Sequence, residues 1–284
     1  MEDSQNNLMP DGPDRTLALA KLVESMRSVT GSETAAIASE KSVGEADSIQ
    51  HRSRARVEHL ESLRQANIEQ ILRLAGQEID PSVSEDPVDK GWLIHFFESA
   101  KNSGDDLEHR IWARLLAGEL ASPGGFSKRS LSTLSLMDRW ELEGFIEWCA
   151  FAFAFESGWR FMFDDDVLRR EMWTYGRDRD LTHHFVNIGL LSAETSQLRP
   201  SSCSKGLRLR YSGKLYEIRT EKAGSMEHVS AESGASYRRF TAVGQQLAEV
   251  IRTKSFYGYA RSVLKVLDKE WSLRFEVIES PSDT

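Results

Sequence analysis

Residues 106–121 read DLEHRIWARLLAGELA, and this stretch decides most of the predicted fold. Its large apolar side chains recur at steps of three and four, the spacing that lines one face of an α-helix. Asp105 and Asp106 stand at the expected helix start, where carboxylates interact favourably with free backbone N–H groups. Residues 123–125, Pro-Gly-Gly, end the pattern. The predicted buried face consists of Leu107, Ile111, Trp112, Leu115, Leu116 and Leu120.

The flanking segments have the same helical character. Residues 92–100 predict a second amphipathic helix, and Asp138 and Glu141 are spaced as a capping box before an apolar stretch that ends at Cys149. Residues 49–79 lack proline and predict a long helix whose first half is basic and nearly without apolar residues. We expect one helical core in which the following side chains pack against one another: Trp92, Phe96, Trp112, Leu115 and Leu116.

Composition is that of an ordinary globular protein. The 284 residues include 44 acidic and 36 basic side chains, for a net charge of −8, and 40% are hydrophobic. These values exclude collagen-like, wholly disordered and disulfide-scaffold proteins. The two cysteines are typical of a reducing compartment. The first residues lack a signal-peptide pattern, and the apolar run 148–155 falls short of the about 20 residues that span a bilayer. We therefore predict a cytoplasmic protein.

The C-terminal part is predicted to contain one small β element. Residues 207–211 alternate apolar and basic side chains, residues 212–214 are typical of a turn, and 215–218 alternate again, which predicts a β-hairpin. A helix over 181–191 before it and another from Phe240 after it resemble the second half of a winged-helix domain. The predicted fold class is mainly α, a helical bundle with a winged-helix-like C-terminal part carrying a small β-hairpin. The predicted divisions are a disordered tail (1–16), N-terminal amphipathic and long helices (17–80), a helical domain (88–160) and the winged-helix-like domain (161–284).

Cations are concentrated around the predicted hairpin, at 205–222, in a chain that is acidic overall. Because side chains two apart share a strand face, Arg208 and Arg210 should point the same way. In winged-helix domains the hairpin wing contacts phosphates. Because the chain is acidic overall, we favour a structural or protein-docking use of the hairpin, and we keep as the alternative a nucleic-acid surface. Its candidate residues are Arg208, Arg210, Lys214, Arg238 and Arg239.

No metal, cofactor or catalytic site is predicted. The sequence lacks the His-Glu-x-x-His spacing of zinc proteases, and His183 and His184 are adjacent, so they point in different directions on a helix. Asp164, Asp165 and Asp166 are interpreted as capping a helix rather than holding Mg²⁺.

Four stretches carry a family resemblance: 64–69 (RQANIE), 88–97 (VDKGWLIHFF), 112–119 (WARLLAGE) and 123–131 (PGGFSKRSL). Together they resemble an uncharacterised bacterial family of unknown function, the 2806 family, and more distantly the abortive-infection alpha proteins. The resemblance implies a bacterial or phage-related protein connected with antiviral defence, and it brings no established reaction. The family-motif residues, structural or functional, are Trp92, Trp112, Glu119, Ser127 and Arg129.

The predicted function is a non-enzymatic interaction or effector component of a bacterial antiphage defence module. Two alternatives stay open: a nucleic-acid-binding regulator that uses the basic hairpin, and an enzyme with an unrecognised site built around Glu119 and Arg129. The predicted partners are a protein or a second copy of the chain, meeting the stripe from Leu19 to Val29 and the basic stretch from Arg52 to Arg56. Membrane contact ranks below self-association because the stripe lacks an aromatic anchor.

Overall fold

The computed structural model describes residues 13–31, 49–79, 84–175, 179–204, 206–220 and 234–279. Residues 1–12 of the predicted tail, and residues 205 and 221–222 of the basic segment, lie outside these ranges. The described helices are α1 (Pro13–Thr30), α2 (Ile49–Glu78), α3 (Lys90–Ala100), α4 (Asp106–Ala121), α5 (Lys128–Leu136), α6 (Arg139–Cys149), α7 (Asp166–Trp173), α8 (Thr182–Asn187), α9 (Ala242–Val250) and α10 (Tyr257–Trp271). The strands are β1 (Phe153–Phe155), β2 (Arg160–Phe163), β3 (Leu191–Leu198), β4 (Leu207–Tyr211), β5 (Lys214–Thr220), β6 (Ala235–Phe240) and β7 (Leu273–Glu279).

The helical core is the predicted one. Trp92 stacks on Phe96 with ring centroids 5.3 Å apart, and Phe96 meets Trp112 edge to face at 5.5 Å. Leu115 and Leu116 are buried beside them. Capping also follows the prediction, because the Asp105 side chain accepts the N–H groups of Leu107 and Glu108 at the start of α4. The prediction that these five apolar side chains form one core is confirmed.

The predicted fold class is wrong. The strands form one seven-stranded antiparallel sheet in the order β3-β6-β2-β1-β4-β5-β7, so the protein is mixed α and β rather than a helical bundle with a small hairpin. The predicted hairpin exists as β4 and β5, and its turn residues Ser212 and Gly213 both have positive φ. It is not a free wing, however, because β4 pairs with β1 and β5 pairs with β7.

One cluster of buried side chains extends from Ile71 in α2 to Leu273 in β7, so elements on both sides of the predicted boundary at residue 160 share a core. On the sheet, the Phe153 ring of β1 lies 4.8 Å from the Tyr211 ring of β4 and 6.0 Å from the Tyr259 ring of α10. Among the described residues, no helix combines the length and apolar content that a membrane-spanning segment requires.

Candidate functional site

Three of the family-motif residues, Trp92, Glu119 and Ser127, build a braced turn between α4 and α5. Glu119 is 1% exposed, and its two carboxylate oxygens each accept one backbone N–H, from Gly124 at 2.7 Å and from Phe126 at 2.9 Å. The Trp92 indole N–H donates to the carbonyl of Phe126 at 2.8 Å. Gly118 is required beneath this turn, since a Cβ atom there would lie 2.8 Å from the Phe126 ring. Glu119 and Trp92 therefore fix the path of the backbone through residues 123–126.

A second brace comes from α9. The side-chain amide of Gln246 donates to the Gly125 carbonyl at 2.8 Å, and its oxygen accepts the Ser127 N–H at 3.0 Å. The same oxygen accepts the hydroxyls of Ser127 at 3.0 Å and Ser130 at 2.5 Å. The Ser127 hydroxyl also caps α5 by accepting the N–H of Ser130. One glutamine therefore ties the family turn to the C-terminal part of the chain.

Beside the family turn lies a groove of about 400 Å³, which we call the Arg114 groove. Glu78, the last residue of α2, accepts Arg114 Nε at 3.3 Å and Arg252 Nη2 at 2.6 Å. The groove does not gather the residues named for an enzymatic site, because neither Glu119 nor Arg129 lines it. Arg129 is exposed on α5. The groove lining consists of Glu78, Arg114, Ala117, Gly118, Ala121, Ser122, Gly125, Phe126, Glu249, Val250 and Arg252.

The structure does not bring the five predicted nucleic-acid cations onto one surface. Ala154 is in register with Arg210, whereas Phe161 is in register with Arg239. Phe161 and Phe153 also lie opposite each other, so Ala154 and Phe161 belong to different faces of the sheet. Arg210 and Arg239 consequently project from opposite faces. Lys214 follows the turn at the start of β5.

Arg208 and Arg238 have carboxylate partners. Arg208 pairs with Glu156 at 3.2 Å. Arg238 pairs with Asp164 at 2.7 Å and also donates to the carbonyls of Ser192 and Ala193. Arg238 therefore serves the packing of β6 against β3, and most of its guanidinium is committed inside the protein.

Asp164 forms two ion pairs that the sequence pattern did not predict. Its side chain is 6% exposed and contacts both Arg238 and Arg169, and Arg169 also pairs with Asp180 at 2.8 Å. Of the three aspartates that were predicted to cap the helix, Asp165 is the N-cap residue of α7, and its side chain accepts the N–H of Val167. The run of three aspartates thus combines one helix cap, Asp165, with one buried carboxylate, Asp164, that pairs with two arginines. Within the described ranges, no group of three or more His, Cys, Asp or Glu side chains could hold a metal ion.

The two cysteines are unpaired thiols. Burial raises the pKa of Cys149 to about 12, although the charge of Arg160 acts in the opposite direction. Burial also raises the pKa of Cys203 to about 11. Both thiols are therefore protonated at neutral pH, and a protonated thiol is a poor nucleophile.

A different kind of surface lies at the N-terminal end. We call α1 and residues 49–63 of α2 the N-terminal arm. α1 packs against α2, and His59 Nε2 donates to the Ser28 carbonyl at 3.1 Å. The buried residues of α2, Ile71 and Ala75, both lie beyond the arm. Among the arm's side chains that the structure describes, the following large apolar ones are exposed: Leu22, Val29, Ile49, Val57 and Leu63.

Comparison with known protein families gives a match over most of the chain. The family model described as Protein of unknown function (DUF2806) matches residues 51–264, which confirms the resemblance carried by the Trp112 to Glu119 block and the turn after it. No curated protein and no solved structure gives a significant match. The likeness to abortive-infection alpha proteins is not among these findings. The chain therefore belongs to the 2806 family of proteins of unknown function.

Proposed function

We propose that this protein is an interaction component that assembles with a second copy of itself through the N-terminal arm. The observation that carries the proposal is the arm's exposed apolar surface. Ile49, Ser53 and Val57 follow one another at steps of four, so they lie along one side of α2. Ile49 is 76% exposed and Val57 is 46% exposed, and a depression of about 570 Å³ runs beside them.

The arm lacks the burial that would stabilise it alone. Between residues 20 and 63, none of the described side chains is fully buried. Helices in water gain most of their stability from packing an apolar face, and two helices that pack only on each other are marginal. Covering Val57 and its neighbours with the same face of a second chain would supply the missing burial. Such pairing also closes with two-fold symmetry, the commonest arrangement of soluble oligomers.

Charge and aromatic content bear on the choice between a second copy and a membrane. The first half of α2 carries Arg52, Arg54 and Arg56, while the whole chain has a net charge of −8. Arg54 is paired with Glu58 inside this segment at 3.2 Å, which reduces the repulsion between two arms that meet face to face. An anionic membrane would attract the basic segment, but the described part of the arm contains no Trp, Tyr or Phe to anchor it at a lipid interface.

The test is substitution of Val57 by Asp, with Ile94→Asp as the matched control. Ile94 is 66% exposed on α3, outside the arm, so the control introduces the same charge at a similarly exposed apolar position. We expect V57D to raise the dimer dissociation constant by about tenfold or more, because a charge replaces an apolar side chain that is buried on association. Light scattering should show dissociation of V57D and no change for I94D. Equal molar masses for V57D and the unchanged protein would contradict the proposal.

Deletion of residues 1–48 gives a second, coarser test. It removes α1 and should leave the core that begins at Ile71 intact while assembly weakens. Circular dichroism and urea unfolding report the fold, and light scattering reports the assembly. A shortened chain that associates as strongly as the full chain would rule out α1 as part of the interface.

We place this assembly in the cytoplasm. Support comes from the thiols, since Cys149 and Cys203 are unpaired, as is usual in reducing compartments. The role in a bacterial antiphage defence module stays a prediction, because neither the family match nor the fold bears on it. The nucleic-acid and enzymatic alternatives also stay predictions, and the geometry favours neither.

A further inference from the structure

We propose that the Arg114 groove binds an oxyanion, a carboxylate or phosphate group, attached to a small apolar moiety. The proposal is independent of the N-terminal arm. At about 400 Å³ the groove falls within the size range of small-molecule sites, about 300–1,000 Å³. Three parts of the chain form it, namely the end of α2, the end of α4 with the family turn, and the end of α9.

The charges in and beside the groove leave one cation in excess, because Arg160 pairs with Glu249 from outside the lining. Arg114 and Arg252 share the single carboxylate of Glu78. The other acidic group in the lining, Glu249, lies 3.9 Å from Arg160 and accepts the Gln245 amide at 3.0 Å. The lining itself holds two arginines and two glutamates, and Arg160 adds a third arginine from outside the lining. A bound monoanion would neutralise the remaining positive charge.

The arginines also keep donors for such a ligand. A guanidinium carries five N–H donors in a planar fork that matches a carboxylate or a phosphate. Among the described residues, Arg252 uses one nitrogen, Nη2, and that bond goes to Glu78. The Arg252 side chain is 70% exposed, so its free edge can reach a ligand in the groove. Arg114 is more enclosed and uses Nε on Glu78 and Nη1 on the Val250 carbonyl.

The floor of the groove suits an apolar group. Ala117, Gly118 and Ala121 project almost no side chain from α4, and the Phe126 ring forms a wall. Phe126 is held in place because Glu119 and Trp92 bind its backbone on both sides. A preformed pocket of this kind binds without first having to order its walls. The residues that define the family turn thereby give the groove its shape.

The experiment is calorimetric titration of the full chain, at low salt, with three probes that share one ring. Phenyl phosphate and benzoate carry the two oxyanions, and benzamide is neutral. We expect both anions to bind and benzamide to bind at least about tenfold more weakly. Tighter binding of phenyl phosphate would identify the preferred group as phosphate, and tighter binding of benzoate would identify it as carboxylate. Failure of both anions to bind, or equal binding of benzamide, would overturn the proposal.

Two variants locate the binding. Arg252→Gln should weaken binding of either anion by about tenfold or more, since it removes the excess charge. Ala121→Leu changes no charge but fills the floor of the groove, so it should also abolish binding of both anions. This second variant still tests the location of the site if R252Q does not fold. Arg261→Gln is the control, because Arg261 is exposed on α10 and does not line the groove. Unchanged affinity in a folded A121L would show that the anions bind elsewhere.

Discussion

Substitution of Glu119 by Gln tests whether the most distinctive carboxylate of the family turn is structural. Each oxygen of Glu119 accepts one backbone N–H, at 2.7 Å from Gly124 and at 2.9 Å from Phe126. A glutamine has the same shape but offers one accepting oxygen, so one of the two N–H groups would face an NH₂ group instead. Glu119 is 1% exposed, and water cannot replace the lost acceptor. A hydrogen bond to a charged group contributes about 1.5–3 kcal/mol, which is the expected loss of unfolding free energy.

Urea denaturation measures that loss, with an unchanged m-value if the native and unfolded states are otherwise alike. Glu119→Ala removes both acceptors and should cost about twice as much. Glu143→Gln is the control, because Glu143 pairs with Arg139 on the surface, where such pairs contribute about 0–1 kcal/mol. If the Glu119→Gln protein is as stable as the unchanged chain, the structural role is refuted. Glu119 would then again be a candidate residue for the enzymatic alternative.

Two further outcomes follow from the core. Trp112→Ala should lower the unfolding free energy by about 3–5 kcal/mol in urea denaturation, because the Trp112 side chain is buried and packs edge to face on Phe96 of α3. A loss below about 1 kcal/mol would contradict this packing. Tyr211→Phe should destabilise the protein by about 1–3 kcal/mol, since the Tyr211 hydroxyl donates to the Ala150 carbonyl at 2.8 Å and accepts the Phe256 N–H at 3.2 Å. Tyr259→Phe should be neutral or stabilising by the same measurement, because the Tyr259 hydroxyl is buried without a partner in the described part of the chain; equal losses for the two variants would be inconsistent with this contrast.

The helical part was predictable because its information is local. Apolar side chains at steps of three and four define the buried faces of α3 and α4, and the caps at Asp105 and Asp138 lie within one turn of the residues that they serve. The β4–β5 hairpin was predictable for the same reason, since its two strands are joined by a two-residue turn at Ser212 and Gly213.

The sheet could not be inferred in this way, because most of its pairs are distant in sequence. β2 pairs with β6, so Met162 lies opposite Arg238, and β5 pairs with β7. β3 has buried ends and a polar middle, and β1 is only three residues long, so neither shows a clear strand pattern. The same limit applies to the candidate sites. Glu78 is separated from Arg114 by 36 positions in the sequence and from Arg252 by 174. No local spacing pattern could therefore predict that these side chains pair.

The most direct test of self-association through the N-terminal arm is the molar mass of the intact protein, measured by light scattering over a range of concentrations. The chain has a mass of 32.1 kDa. The account predicts a mass that rises with concentration to twice this value, as expected for a symmetric dimer. A mass that stays at that of a single chain at every concentration would contradict it.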